Sequence, residues 1–123
     1  MTGNNAGIAQ SIAKKFGVLK CQECSIALRN AFVSHGIKGR RLELVARNVD
    51  PTRGWIVMYD EAYKVPFPLK TGYPISENGR HFGVEVDGYV YDNIFRLGIP
   101  VAEWAKQFEC MSHQFTVNEI ERF

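Results

Sequence analysis

Four side chains in this 123-residue sequence have the types and spacing to do chemistry: Cys21, Cys24, His81 and Asp92. Cys21 falls where a helical pattern begins. A helix N-terminus carries partial positive charge and unpaired N–H groups. Both favour the nucleophilic thiolate, and the same N–H groups can hold an oxyanion. Cys24 follows one turn later on the apolar stripe, where a cysteine behaves as a small hydrophobe. Cys21 is therefore the preferred nucleophile and Cys24 the alternative. The plain alternative for either is a structural cysteine.

His81 and Asp92 are brought together by a hairpin. Residues His81–Val86 and Tyr89–Asn93 flank Asp87-Gly88, the strongest short hairpin signal available. A two-residue turn pairs Val86 with Tyr89, Val84 with Tyr91 and Gly83 with Asp92. Side chains alternate faces, so His81, Gly83 and Glu85 share a face with Val90 and Asp92. His81 and Asp92 then lie diagonally, about 7–8 Å apart at Cα and within side-chain reach. Gly83 leaves the imidazole room to swing across. A carboxylate on Nδ1–H would fix the tautomer and stabilise the imidazolium. Asn93 points to the other face and is the weaker partner. Phe82, Val84, Val86, Tyr89 and Tyr91 make that face core. A surface ion pair is the plain alternative here.

The elements that must position these groups read as two helices, then strands, then a helix. Asn4–Phe16 carries Ile8, Ala9, Ile12, Ala13 and Phe16 on one stripe, with Gly17 to end it. Cys21–His35 is the clearest helix, its stripe formed by Cys24, Ala27, Leu28, Ala31 and Phe32, with Gly36 as C′ residue. Arg41–Val45 and Trp55–Tyr59 read as strands. Residues 60–80 hold three prolines, which rules out a central strand and predicts a long connecting loop. Its aromatics Tyr63, Phe67 and Tyr73 are packing or a substrate wall. Pro100 suits the first turn of a helix through Trp104 to Phe108. His113–Phe115 is a last strand, and Thr116-x-x-Glu119 resembles a capping box for a short terminal helix. Trp55 and Trp104 are expected in the core. The class is α+β, with N-terminal helices packed on a mainly antiparallel sheet, in a single domain over residues 1–123.

Composition excludes several functions. Fifteen Lys+Arg against thirteen Asp+Glu leave a net charge of +2, too little to demand a nucleic-acid partner. Hydrophobic residues make up 46% of the chain, which argues against disorder. No apolar run approaches a membrane span, and the N-terminus lacks the pattern of a signal peptide. Three cysteines, an odd number, argue against a disulfide framework and for free, catalytic or metal-bound thiols. Two other arrangements compete with thiol chemistry. Cys21-x-x-Cys24 with Cys110-x-x-His113 supplies a Cys₃His zinc set. Arg40, Arg41, Arg47 and Arg53 form a basic stretch that a nuclease would use, although such stretches are usually solvated faces.

The segments FGVLKCQECSIALRNAFVSHGIKGRR (16–41) and GRHFGVEVDGYVYDN (79–93) resemble the papain-fold toxin domains of bacterial polymorphic toxin systems, the group termed papain fold toxin 2 in particular. The likeness spans nearly the whole chain. The same blocks are similar to the transglutaminase-like core. There a nucleophilic Cys opens a helix ending in Gly-Ile, a His begins a strand of the form H-x-x-V-E-V, and an Asp follows on the next strand. The resemblance implies a papain-like or transglutaminase-like fold and a Cys21–His81–Asp92 triad, with Gly36-Ile37 marking the helix end. It implies a thiol-dependent hydrolase or acyl transferase on protein or peptide amides, acting as peptidase, glutamine deamidase or transamidase. It implies no cofactor or metal, a cognate immunity protein as partner, and either delivery into a target-cell cytoplasm or residence in the cytoplasm. One departure stands out. Papain-type peptidases carry an oxyanion-hole Gln about six residues before the nucleophile, and that position is Lys15.

Overall fold

The computed structural model describes residues 2–17, 19–49, 55–60, 65–66 and 75–123. Helix α1 (Thr2–Ala13) buries Asn5, Ala9 and Ala13 along one stripe. Helix α2 (Cys21–Ser34) buries Cys21, Cys24, Ser25, Leu28 and Phe32 at spacings of three and four. It ends in a Schellman motif, because Gly36 adopts φ +70°. Ile37 N–H then reaches Phe32 O and Gly36 N–H reaches Val33 O.

Among the described residues, eight strands follow: β1 (Arg40–Ala46), β2 (Val57–Asp60), β3 (Val65–Pro66), β4 (Arg80–Val86), β5 (Tyr89–Tyr91), β6 (Ile99–Pro100), β7 (Phe108–Glu109) and β8 (Phe115–Arg122). Between β6 and β7 lie a one-turn helix α3 (Val101–Trp104) and a 3₁₀ turn (Ala105–Gln107). A five-stranded antiparallel sheet runs β6-β5-β4-β1-β8, and a three-stranded one runs β3-β2-β7. The fold is α+β with its long helices N-terminal, as the sequence indicates. The Asp87-Gly88 turn has both residues at positive φ (52° and 83°), and its register matches the one read from the hairpin.

Several local expectations are corrected. Thr116-x-x-Glu119 does not cap a helix. It lies in β8, paired along β1 with a bulge between Arg41 and Leu42. Glu119 is turned to Arg40 and Arg122 instead of capping. Thr116, Val117 and Ile120 are β-branched, and pairing with a neighbouring strand overrides a four-residue signal. The helix after Pro100 stops at Trp104, and Phe108 already begins β7. Trp55 is 54% exposed, whereas Trp104 is buried. Within the proline-rich stretch, Val65–Pro66 forms the edge strand of the small sheet, where a missing N–H costs nothing. Tyr63, Phe67, Tyr73 and Arg53 lie outside the described residues.

The sheet is covered on both faces around β4. One face meets α1 and α2, with Val84, Val86 and Tyr91 packed on Ala9, Ala13, Cys24, Leu28 and Phe32. The other carries Leu42, Leu44 and Val90 against Trp104 and Phe108. Tyr89, expected inside, is 39% exposed at the hairpin end. The space left by Gly83 is filled rather than open: a Cβ there would lie 2.6 Å from Val90 and 3.0 Å from Trp104. Gly83 thus lets the indole down onto the sheet.

Candidate active site

Cys21 is the first residue of α2. Its N–H and those of Gln22 and Glu23 have no intrahelical acceptor, and Lys20 at the N-cap supplies no side-chain one. The chain reaches this turn through Leu19, which holds φ 74°, a left-handed conformation that a leucine rarely adopts. Such strain marks a segment held in place by its surroundings. One tether is visible. Asn93 Nδ2 donates to Gly17 O at 2.9 Å from just beyond β5, fixing the approach to α2.

His81 and Asp92 form a fully buried pair, with Nε2 and Oδ2 2.8 Å apart and neither side chain exposed. Asp92 accepts four hydrogen bonds, enough to occupy its carboxylate lone pairs. Oδ2 takes His81 Nε2–H and Trp104 Nε1–H (2.9 Å). Oδ1 takes the N–H groups of Ile94 (2.9 Å) and Phe95. Burial alone would push this carboxyl up, but His81 and the other donors hold it below the ordinary carboxylate range. For His81, burial opposes protonation, yet its contacts with Asp92 and Cys21 outweigh it and raise the imidazole from 6.5 to about 9. The ring lies against Phe108 and Trp104, with centroids 4.9 and 5.8 Å away.

Which nitrogen does what differs from the sequence expectation. Asp92 holds Nε2, not Nδ1. The nitrogen left for the thiol is Nδ1, which is buried without a well-formed hydrogen bond. Cys21 is nonetheless close enough to strengthen the imidazole's hold on its proton. Cys21, His81 and Asp92 are thus brought together, with Cys21 on the wall of a cleft and the other two in the core. Cys24 is fully buried one turn along, and burial, followed by the charges of Asp92 and Cys21, pushes its thiol up to about 12. That thiol is a poor source of thiolate.

Cys21 opens onto a cleft of about 310 Å³ between the start of α2 and the segment that leads into β4. Leu19, Gln22 and Glu23 line one side, and Ile75, Ser76, Asn78 and Phe82 the other. His81 and Asp92 lie behind it, away from solvent. Lys15, at the position of the papain-type oxyanion Gln, is exposed just after α1 and does not line the cleft.

The zinc set does not assemble among the described residues. Cys110 contacts Ser112 and Gln114 O, and His113 pairs with Glu109. Among the described residues no three His, Cys, Asp or Glu side chains converge to hold a metal. Within the basic stretch, Arg40 pairs with Glu85 and Glu119, and Arg41 with Glu121. From sequence, Trp104 is expected only in the core and Asn93 only as the weaker partner of His81; their contacts here are to Asp92 and to Gly17 O. A buried indole N–H needs an acceptor, but only the folded chain shows that Asp92 is that acceptor.

Comparison with family models matches papain fold toxin 2 over residues 4–109. Curated proteins and solved structures yield no significant match. No helix among the described residues is long and apolar enough to cross a membrane.

Proposed function

The chain belongs to the papain fold toxin 2 family, and from that premise we propose that it is a thiol-dependent hydrolase or acyl transferase acting on protein or peptide amides. Cys21 is the nucleophile, His81 the acid–base group and Asp92 its anchor. The observation that carries this reading is the buried His81–Asp92 pair, placed behind a cysteine that opens both a helix and a cleft.

In this mechanism His81 Nδ1 takes the Cys21 proton while Nε2–H stays on Asp92. The thiolate attacks the amide carbonyl carbon, forming a C–S bond, and the electron pair moves to oxygen. The Cys21 N–H at the start of α2 faces that developing charge. The imidazolium then protonates the leaving nitrogen, the C–N bond breaks, and a thioester remains. His81 next deprotonates the acceptor, whose attack releases the thiol. Water as acceptor gives peptide hydrolysis or glutamine deamidation, and a lysine amine gives transamidation. The same three residues serve all three outcomes. Residues 1–123 act as one unit in this reading. The target is a protein in the cytoplasm of a recipient cell, and a cognate immunity protein blocks the cleft.

The test is alkylation of the three cysteines at about pH 6 with mass-spectrometric mapping. An ordinary thiol, with pKa near 8.5, reacts slowly there. We expect rapid labelling at Cys21 alone, lost in His81→Ala. Uniformly slow labelling in the wild-type protein would overturn the proposal.

A further inference from the structure

We propose that the side-chain amide of Asn78 donates the second hydrogen bond to the carbonyl oxygen of the attacked group, in partnership with the Cys21 N–H. This rests on the thiol mechanism above and supplies the donor that Lys15 does not. An oxyanion donor has to be a polar hydrogen on the cleft wall, held in place before the reaction begins. Four side chains on the wall carry such hydrogens: Gln22, Ser76, Asn78 and Arg80.

Three of them are unsuited. Ser76 Oγ spends its proton on Asn78 Oδ1, 2.9 Å away. Arg80 is exposed and turned towards Glu43, with Nη1 3.3 Å from its carboxylate. Gln22 is exposed, and its side chain has no hydrogen bond among the described residues to hold it. Asn78 is exposed as well, but its amide is held at two points. Its Oδ1 accepts from Ser76 Oγ and also from Arg80 N–H at 3.1 Å. A backbone N–H can only donate, so the amide orientation is settled: oxygen faces the chain, and Nδ2 is turned away from it. Nδ2 has no acceptor among the described residues.

The base beneath the amide is rigid. Ser76 is buried, and its carbonyl is bridged to Ile56 N–H at 2.9 Å, while Ile75 N–H returns to Ile56 O at 2.8 Å. Asn78 therefore presents a fixed, unspent N–H₂ on the wall opposite the start of α2, three residues before His81.

The experiment compares two reactions of Cys21 in the full chain. p-Nitrophenyl acetate acylates the thiolate through a tetrahedral oxyanion, forming C–S and expelling p-nitrophenolate. Iodoacetamide alkylates it by displacing iodide, with no oxyanion. Asn78→Asp keeps an oxygen for Ser76 and Arg80 N–H but replaces the Nδ2 donor. We expect its acylation rate to fall about 10²-fold relative to wild type, with the alkylation rate within about twofold, and Asn78→Ala to show the same split. Unchanged acylation, or two rates that fall together because the wall has shifted, would overturn the assignment of Asn78. Slow alkylation of Cys21 in the wild-type protein would instead remove the thiol mechanism, and this inference with it.

Discussion

His81 meets Asp92 at 2.8 Å with both side chains sealed from solvent, whereas His113 meets Glu109 at 2.9 Å with 73% and 34% of the two side chains exposed. The bond lengths are nearly equal, so length does not distinguish the pairs. Surroundings do. Asp92 is held by an indole and two backbone N–H groups besides the imidazole, and the imidazole contacts a thiol. Glu109 and His113 sit four residues apart around a turn whose His holds φ 58°. Water and ions screen the exposed pair, so it contributes about 0–1 kcal/mol. The buried pair has little water to fall back on, and removing one partner strands the other. In this chain a His–carboxylate contact gains chemical meaning from what lies behind it and what it faces.

The sharpest way to break the comparison is to delete each imidazole. His81→Ala should slow Cys21-dependent acylation by roughly 10²–10⁴-fold, the span of general acid–base catalysis. His113→Ala should leave the rate within about twofold. p-Nitrophenolate release measures both, and equal losses would show that the two pairs serve the same purpose. Next come the carboxylates. Asp92→Ala leaves a buried histidine without its acceptor partner and should cost about 3–5 kcal/mol in denaturant unfolding. Glu109→Ala should cost no more than about 1 kcal/mol.

Local signals explain why part of this arrangement was legible in the sequence. Asp87-Gly88 fixes the hairpin register within a dozen residues, and that register puts His81 near Asp92. The apolar spacing of Cys24, Leu28 and Phe32 defines α2, and hence Cys21 at its start. What was not legible depends on contacts between distant segments. Trp104 reaches Asp92 only because Gly83 lets it onto the sheet. The choice of Nε2 over Nδ1 rests on the ring's orientation in the folded core, which no hairpin argument contains. Thr116–Glu119 follows a helix-start pattern yet pairs with β1, some 70 residues earlier in the chain. Asn78 is an ordinary loop residue until Ser76 and Arg80 are seen to fix its amide.

Trp104 offers a smaller test on the buried side. Trp104→Phe keeps much of the ring packing on Phe108 and His81 but removes the 2.9 Å bond to Asp92. A hydrogen bond to a charged group contributes about 1.5–3 kcal/mol. We expect a loss of that size, plus stronger retention of the proton by His81, because a carboxylate with one donor fewer attracts it more, visible in the imidazole NMR titration. Loss of stability with no change in that titration would make Trp104 a packing residue only.

The two pairs can also be compared across pH. His81 is raised from 6.5 to about 9. Its contribution is complete below about 6.5, because folded and unfolded chains both bind the proton there. It declines as pH rises and is gone above about 9. Asp92 is lowered from 3.8, so its contribution is present above that value and lost as pH falls through the folded one. The buried pair should therefore stabilise the fold most between about pH 4 and 6.5. His113→Asn is the matching control, since Asn tolerates the left-handed conformation that His113 holds. Unfolding free energies of wild type and His113→Asn, taken from pH 4 to 10, should run parallel within about 0.5 kcal/mol, both falling between pH 6.5 and 9. A wild-type curve that stays flat there would mean that His81 carries no extra proton in the fold. Curves that diverge there would transfer the pH dependence to the exposed pair.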